Sequence, residues 1–317
     1  MSFKRLDPQD FITSADSVIS PAWSGNTGSL NTFFTQSVQA TGASGNYYLD
    51  VYDKDPQSNT SAEVQFGIAY ANKNGLGALK YNTNISASYS STIYGQMRNL
   101  LLEDENENFM FYNITASDFY VINVNRARYK EKLMPGSWTL NVNGTSYTDD
   151  SKARTIPQYI GSQRVYNVGV GVLGGASMTS TYGLFFPDTS IILLASSITS
   201  PAAAIGSNTA EHNERKLYNS LKVGTPLFTL QSEETITSNY IFVRARNSEF
   251  NYSENPSYIS GSTGEVLHNS FIYNPQTYVT SVGFYNDSNE LLAVAKLSKP
   301  LLKDATKEML LRVKLDF

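Results

Sequence analysis

The chain has 317 residues, enough for one large domain or two of ordinary size. Hydrophobic residues make up 41% and charged residues only 16%, against roughly 25% in an ordinary soluble domain; Asn, Ser and Thr fill the difference. A formal charge of −4 with no long basic run excludes the electrostatic footprint of a nucleic-acid binder, and the absence of cysteine excludes disulfides, thiolate catalysis and cysteine-ligated zinc.

The N-terminus, Met1-Ser2-Phe3-Lys4-Arg5-Leu6-Asp7, turns polar at once and reads as no signal peptide. The longest apolar run, Ile191-Ile192-Leu193-Leu194-Ala195, is too short for a helix that spans a bilayer. A soluble protein made in a cytoplasm is therefore expected. Strands are predicted at Tyr47 to Tyr52, Glu63 to Ala71, Phe109 to Ile114 and Phe119 to Arg126 from alternating apolar residues rich in Tyr and Phe. Trp138 to Val142 runs into Asn143-Gly144, the strongest short hairpin signal. A helix over Ser91 to Glu103 sets Ile93, Tyr94, Met97, Leu100 and Leu101 on one face. The basic stretch Arg126, Arg128, Lys130 and Lys132 is broken by Glu131 and reads as a solvated strand or turn.

Val165 to Leu173 alternates as a strand. Gly169, Gly171 and Gly174 match a phosphate-loop spacing, but Gly175 to Thr181 opens no helix, so that reading fails on context. Gly183 to Ser190 reads as strand then turn at Pro187-Asp188, with an apolar strand from Ile191 after it. Thr209 to Lys222 reads as a helix stopped by Gly224. Tyr240 to Arg246, Val279 to Tyr285, Glu290 to Ser298 and Met309 to Phe317 are predicted strands, with Asn286 to Asn289 as a tight turn. In the last, Met309, Leu311, Val313, Leu315 and Phe317 share one face and Leu310, Arg312, Lys314 and Asp316 the other. The expected fold is mainly β with a few helices, a β-rich α+β arrangement of antiparallel sheets ending in a C-terminal three-strand meander. A soft boundary near residue 150 separates an N-terminal β-rich region, 1–150, from a C-terminal β-rich structural domain, 151–317; a single domain is the alternative.

Candidate chemistry is sparse. His212 and His268 lack a second histidine at metal-ligand spacing and read as surface residues. The acidic run Glu103 to Asn108 lacks the central glycine and twelfth-position glutamate of a calcium loop and reads as a solvated helix end. No nucleophile elbow is present. The expected catalytic, cofactor and metal residues are therefore none. The long polar segment Asn247 to Ser260 carries Phe250, Tyr252 and Tyr258, residue types enriched at interface centres; they either hold a neighbouring protein or fold back onto their own domain.

Several C-terminal stretches resemble one family. They are Tyr182-Gly183-Leu184-Phe185-Phe186-Pro187-Asp188, the run Phe242 to Ser253, Val282-Gly283-Phe284-Tyr285-Asn286-Asp287, the run Glu290 to Ser298, and Arg312-Val313-Lys314-Leu315-Asp316-Phe317. Together, over about residues 165–317, they resemble virion structural proteins of large contractile-tailed, T4-like bacteriophages, including those of cyanobacteria. The resemblance implies a tail or baseplate component located in the virion, with other virion structural proteins as partners in a homo- or hetero-oligomer. It implies no catalytic residue and no cofactor; nucleic acid, membrane and small-molecule substrates are not expected partners. A carbohydrate- or receptor-binding surface protein, with tyrosines as stacking platforms, and an unrecognised hydrolase are the other classes the sequence leaves open.

Overall fold

The structure is a computed structural model that describes residues 3–36, 48–77, 89–111, 114–177, 182–196 and 213–316. It is mainly β with antiparallel sheets and few helices, as the sequence predicts. Contacts divide the chain into two units, Ser17–Glu234 and Met1–Asp16 with Thr235–Phe317. Both boundaries fall inside strands, Phe11–Pro21 and Gln231–Ala245. Residue 150, the boundary expected from composition, lies instead between two strands of one sheet, Thr145–Asp149 and Gln163–Val170.

The larger unit is built on one long antiparallel sheet. Its strand order is Ser29–Leu30, Phe228–Thr229, Thr139–Val142, Thr145–Asp149, Gln163–Val170, Gly183–Phe186, Ile191–Ala195, Asp118–Val124, Val64–Asn72 and Tyr48–Tyr52. The central strands bury both faces, which is why Ile191 to Ala195 is a continuous apolar run instead of an alternating one. Ile192 and Leu194 face one core with Phe66, Tyr120 and Phe185, covered by the helix Asn213–Leu221 through Leu217, Tyr218 and Leu221. Ile191 and Leu193 face the other, with Phe119, Val121 and Phe186, covered by the helix Tyr89–Leu101 through Ile93, Tyr94, Met97 and Leu101.

The sheet curls on itself. Phe228 pairs with Leu30, and a few residues later Phe34 exchanges both backbone hydrogen bonds with Tyr52 at the opposite end of the sheet, at 3.1 and 2.8 Å. The interior of the curl is aromatic. The rings of Trp23 and Phe66 lie 4.9 and 5.4 Å from that of Phe228, and Phe33 meets Phe66 edge-on at 5.3 Å. The predicted hairpin forms at Asn143-Gly144, both residues with positive φ (48° and 83°), as a two-residue turn between twisted strands requires.

In the smaller unit, Phe11–Pro21, Gln231–Ala245 and Met309–Asp316 form one sheet in that order. Gln276–Tyr285 and Leu291–Asp304 form a separate two-stranded ribbon. The expected meander is thus corrected in one respect. Its first two strands pair through the Asn286 to Asn289 turn, but the last strand pairs with Gln231–Ala245, placing Val313 opposite Ile241. The alternation itself holds: Val313 is buried, while Leu310, Arg312, Lys314 and Asp316 are exposed. Phe109 to Ile114 also departs from its predicted single strand. Met110–Phe111 and Ile114–Thr115 pair with each other as a small hairpin.

Candidate functional site

Several residues that the sequence offers for chemistry make contacts within the fold. Gly174 has φ +77 and lies so close to the backbone of Gly136 that a Cβ would stand 2.6 Å from the Gly136 Cα; it packs two turns together and holds no phosphate loop. In the acidic run, the Glu103 carboxylate accepts the hydroxyl and amide hydrogens of Ser162, and the hydroxyl bond holds its pKa below the ordinary glutamate value. Among the described residues no group of three or more His, Asp or Glu side chains is placed to hold a metal. His268 is exposed with its ring edge-on to Phe271; His212 lies outside the described residues. The basic stretch is a turn at Arg126–Arg128 that leads to a short strand at Lys132–Leu133, with Arg126 over the Tyr129 ring and Arg128 paired to Glu63 at 2.5 Å.

Two buried acids are similarly absorbed by the fold. Asp149 accepts the amides of Gly136 and Ser151, each at 2.9 Å, and burial raises its pKa above the ordinary aspartate value. Asp150 accepts the Asn167 amide at 2.9 Å and pairs with Arg154 at 2.6 Å. Every one of these contacts ties a turn or strand end. A shallow hollow of about 420 Å³ in the same unit is lined by Tyr48, Asn123, Arg126, Tyr129 and one acid, Asp50, so it lacks the carboxylate pair that glycoside cleavage requires.

The smaller unit carries the features that suit interaction. Its 247–260 segment is positioned by Lys303, whose side chain is fully buried. The ammonium donates to Asn247 O at 3.0 Å, Asn251 Oδ1 at 2.8 Å and Asp304 O at 2.8 Å, so three oxygens satisfy a buried charge and fix the loop. Thr277 donates to Phe250 O at 2.5 Å from the neighbouring ribbon. The three sequence-predicted interface residues have different fates. Tyr258 is buried and stacks on Phe271 at 4.8 Å, so it folds back onto its own unit. Phe250 is half-buried, with a left-handed backbone at φ 56°. Tyr252 is exposed, its ring edge-on to Tyr258 at 6.0 Å. Phe250 and Tyr252 line a depression of about 400 Å³ with Phe3, Lys4, Ser248 and Glu249. Lys4 pairs there with Glu249 at 2.9 Å.

Sequence reasoning missed the ribbon as a surface. Tyr278, Leu291, Leu292, Val294 and Leu301 are exposed on it, and Ile272 and Tyr273 precede it, Tyr273 at 89% exposure. By contrast, among the described residues the unit buries few large apolar side chains: Ile241, Tyr258 and Val313. Exposed apolar side chains suit an interaction surface where they form a contiguous patch.

Three carboxyls of this unit are held below their ordinary pKa. Glu249 is lowered by the Arg246 amide and then Lys4, Asp316 by the Ser238 hydroxyl and Lys314, and Asp304 by the Thr306 hydroxyl and amide, to about 2. Each folded value lies below its unfolded one, so each contributes stability above the unfolded value that is lost as pH falls through the folded value. For Asp304 the window runs from 3.8 down to about 2. Acidification through that window is expected to loosen the smaller unit, with its three lowered carboxyls, before the larger one, where Glu103 shares their sign but Asp149 titrates with the opposite one. Both tryptophans, Trp23 and Trp138, belong to the larger unit. Trp emission should therefore hold while pulse-labelled hydrogen exchange speeds up in residues 235–316; simultaneous loss of both signals would refute the ordering.

No helix among the described residues is long and apolar enough to cross a membrane. No protein-family model matches the chain, and no curated protein or solved structure is similar enough to indicate a relative.

Proposed function

We propose that this chain is a structural component of a bacteriophage virion, in the tail or baseplate, that acts by protein–protein assembly with other virion proteins and performs no catalysis. The observation that carries this reading is the surface of the smaller unit: Tyr252, Tyr273, Tyr278, Leu292 and Val294 are exposed on a unit that buries little apolar area of its own. The C-terminal sequence resemblance points the same way. A structural role also accounts for Asp149 and Lys303, buried ionisable groups that are engaged with turn and loop backbones. Exposed tyrosines give a second reading some support, since they are natural stacking platforms for sugars or a host receptor.

Replacing Phe250 and Tyr252 together by Ala is expected to lower incorporation of the chain into phage particles while the isolated protein keeps its circular dichroism and melting midpoint. Normal incorporation would remove the 247–260 segment as a contact. Absence of the wild-type chain from purified particles would reject the assembly role itself. Reproducible glycan or peptide turnover, lost on changing one carboxylate, would reject the absence of catalysis.

A further inference from the structure

The two-stranded ribbon has a marked asymmetry between its edges. A free strand edge offers unpaired N–H and C=O groups to any other strand, and proteins ordinarily block such edges with charge, proline or irregularity. Three of the free edges in the smaller unit's sheets are blocked in this way. Leu291–Asp304 carries Lys296, Lys299 and Pro300; Met309–Asp316 carries Arg312, Lys314 and Asp316; Phe11–Pro21 carries Asp16 and Pro21. The fourth, Gln276–Tyr285, has the sequence Gln-Thr-Tyr-Val-Thr-Ser-Val-Gly-Phe-Tyr, with no charged residue and no proline over ten residues, and at its two register shifts, Val279/Ser281 and Phe284/Tyr285, the extra residues lie on Leu291–Asp304. It is rich in the β-branched and aromatic types that favour strands. Among the described residues it pairs only with Leu291–Asp304, so its other edge is open. An isolated two-stranded ribbon is marginal in water and gains stability from a third strand.

Resting on the assembly role argued above, we propose that the open edge of Gln276–Tyr285 pairs antiparallel with the same strand of a second copy, joining two ribbons into a four-stranded sheet about a two-fold axis. Charge selects this occupant. Pairing a strand with its own copy sets like charges near each other wherever charges exist, and that cost is zero in every register for an uncharged strand. The fully overlapped two-fold register of Leu291–Asp304 would put Lys296 opposite Lys299, which is repulsive. The same register of Gln276–Tyr285 puts Tyr278 opposite Gly283, Val279 opposite Val282 and Thr280 opposite Ser281. Tyr278 is 63% exposed, and across the axis its ring would meet the Tyr285 and Leu291 side chains that already cover the face of Gly283.

Sedimentation equilibrium of the wild-type chain tests the pairing. A dimer at micromolar concentration is expected. Thr280→Lys, at an exposed position beside the axis, should weaken it on the order of tenfold or more, and Thr280→Glu likewise, by like-charge repulsion. An equimolar mixture of the two should restore it. Ser298→Lys, on the already blocked edge, should leave association unchanged. A measurement needing no variant is hydrogen exchange: amides of 276–285 should exchange more slowly as protein concentration rises. A wild-type chain that stays monomeric with concentration-independent exchange overturns the pairing, as does a Thr280→Lys chain that dimerises like wild type. If the wild type is monomeric yet enters particles while Thr280→Lys does not, the edge binds a different chain: self-pairing is rejected and the assembly role stands. If neither enters particles, the assembly role is what fails.

Discussion

Phe228→Ala is expected to destabilise the larger unit by about 3 to 5 kcal/mol and to lower its melting midpoint by roughly 10 °C. Phe228 is fully buried, and its ring sits where the curled sheet closes, against Trp23, Phe66 and Trp138. Its backbone pairs with Leu30 on one side and Leu140 on the other. Truncation leaves a ring-sized cavity walled by rigid aromatic side chains on paired strands. Such walls cannot collapse inward, so the cost belongs in the upper part of the range for deleting a phenyl group. The backbone pairing survives, and so does the 3.1 Å bond from the Trp23 indole to Phe228 O, so the effect reports packing alone. Thermal unfolding followed by Trp emission reads it directly. Phe228→Leu, which keeps much of the volume, should recover most of the loss. A Phe228→Ala chain that melts within about 2 °C of wild type, less than 1 kcal/mol, would show that the curl does not depend on this ring.

Val313→Asp should cost several kcal/mol and unfold the smaller unit, leaving the larger one folded. Val313 is 9% exposed and lies opposite the buried Ile241. An aspartate there must either bury a charge or tear the Met309–Asp316 strand off its partner. With so few buried apolar groups, the unit has no margin to absorb that cost. Leu310→Asp, one residue away on the exposed face, should change stability by no more than about 0.5 kcal/mol. Since the tryptophans lie in the larger unit, Val313→Asp should preserve their emission while abolishing hydrogen-exchange protection in 235–316. Retained protection would place Val313 off the core face.

How far the fold was legible depends on the information each signal encodes. Alternation in Met309 to Phe317 reports which face is buried, and that reading holds at Val313. It carries no information about which strand lies alongside, and so the pairing with Gln231–Ala245 was missed. The beginning of that strand, Gln231 to Asn239, is polar at its buried positions too, Ser232 and Ser238, leaving no apolar periodicity to read. Ser298-Lys299-Pro300 looks like a strand end, yet Leu291–Asp304 runs on through it, because a proline is tolerated where an edge strand needs no donor. Asn143-Gly144 and Ile191 to Ala195 were legible because turn geometry and two-faced burial each leave a local signature. At the candidate surface, Tyr252 is exposed. The inward turn of Tyr258 depends on Phe271, thirteen residues away in sequence but stacked on it in space, and no local pattern announces that.

The closure of the curled sheet also sets a schedule for the ribosome. Leu30 can find Phe228 only after nearly two hundred further residues have been made, about 10 to 40 s at ordinary elongation rates. Through that interval the aromatic side chains of the first strands have no finished interior to enter, and the chain depends on its sparse charge and on chaperones to stay out of aggregates. A nascent chain that stops short of residue 228 lacks the strand that closes the curl. Closure therefore doubles as a proofreading step: prematurely terminated products stay open and protease-sensitive.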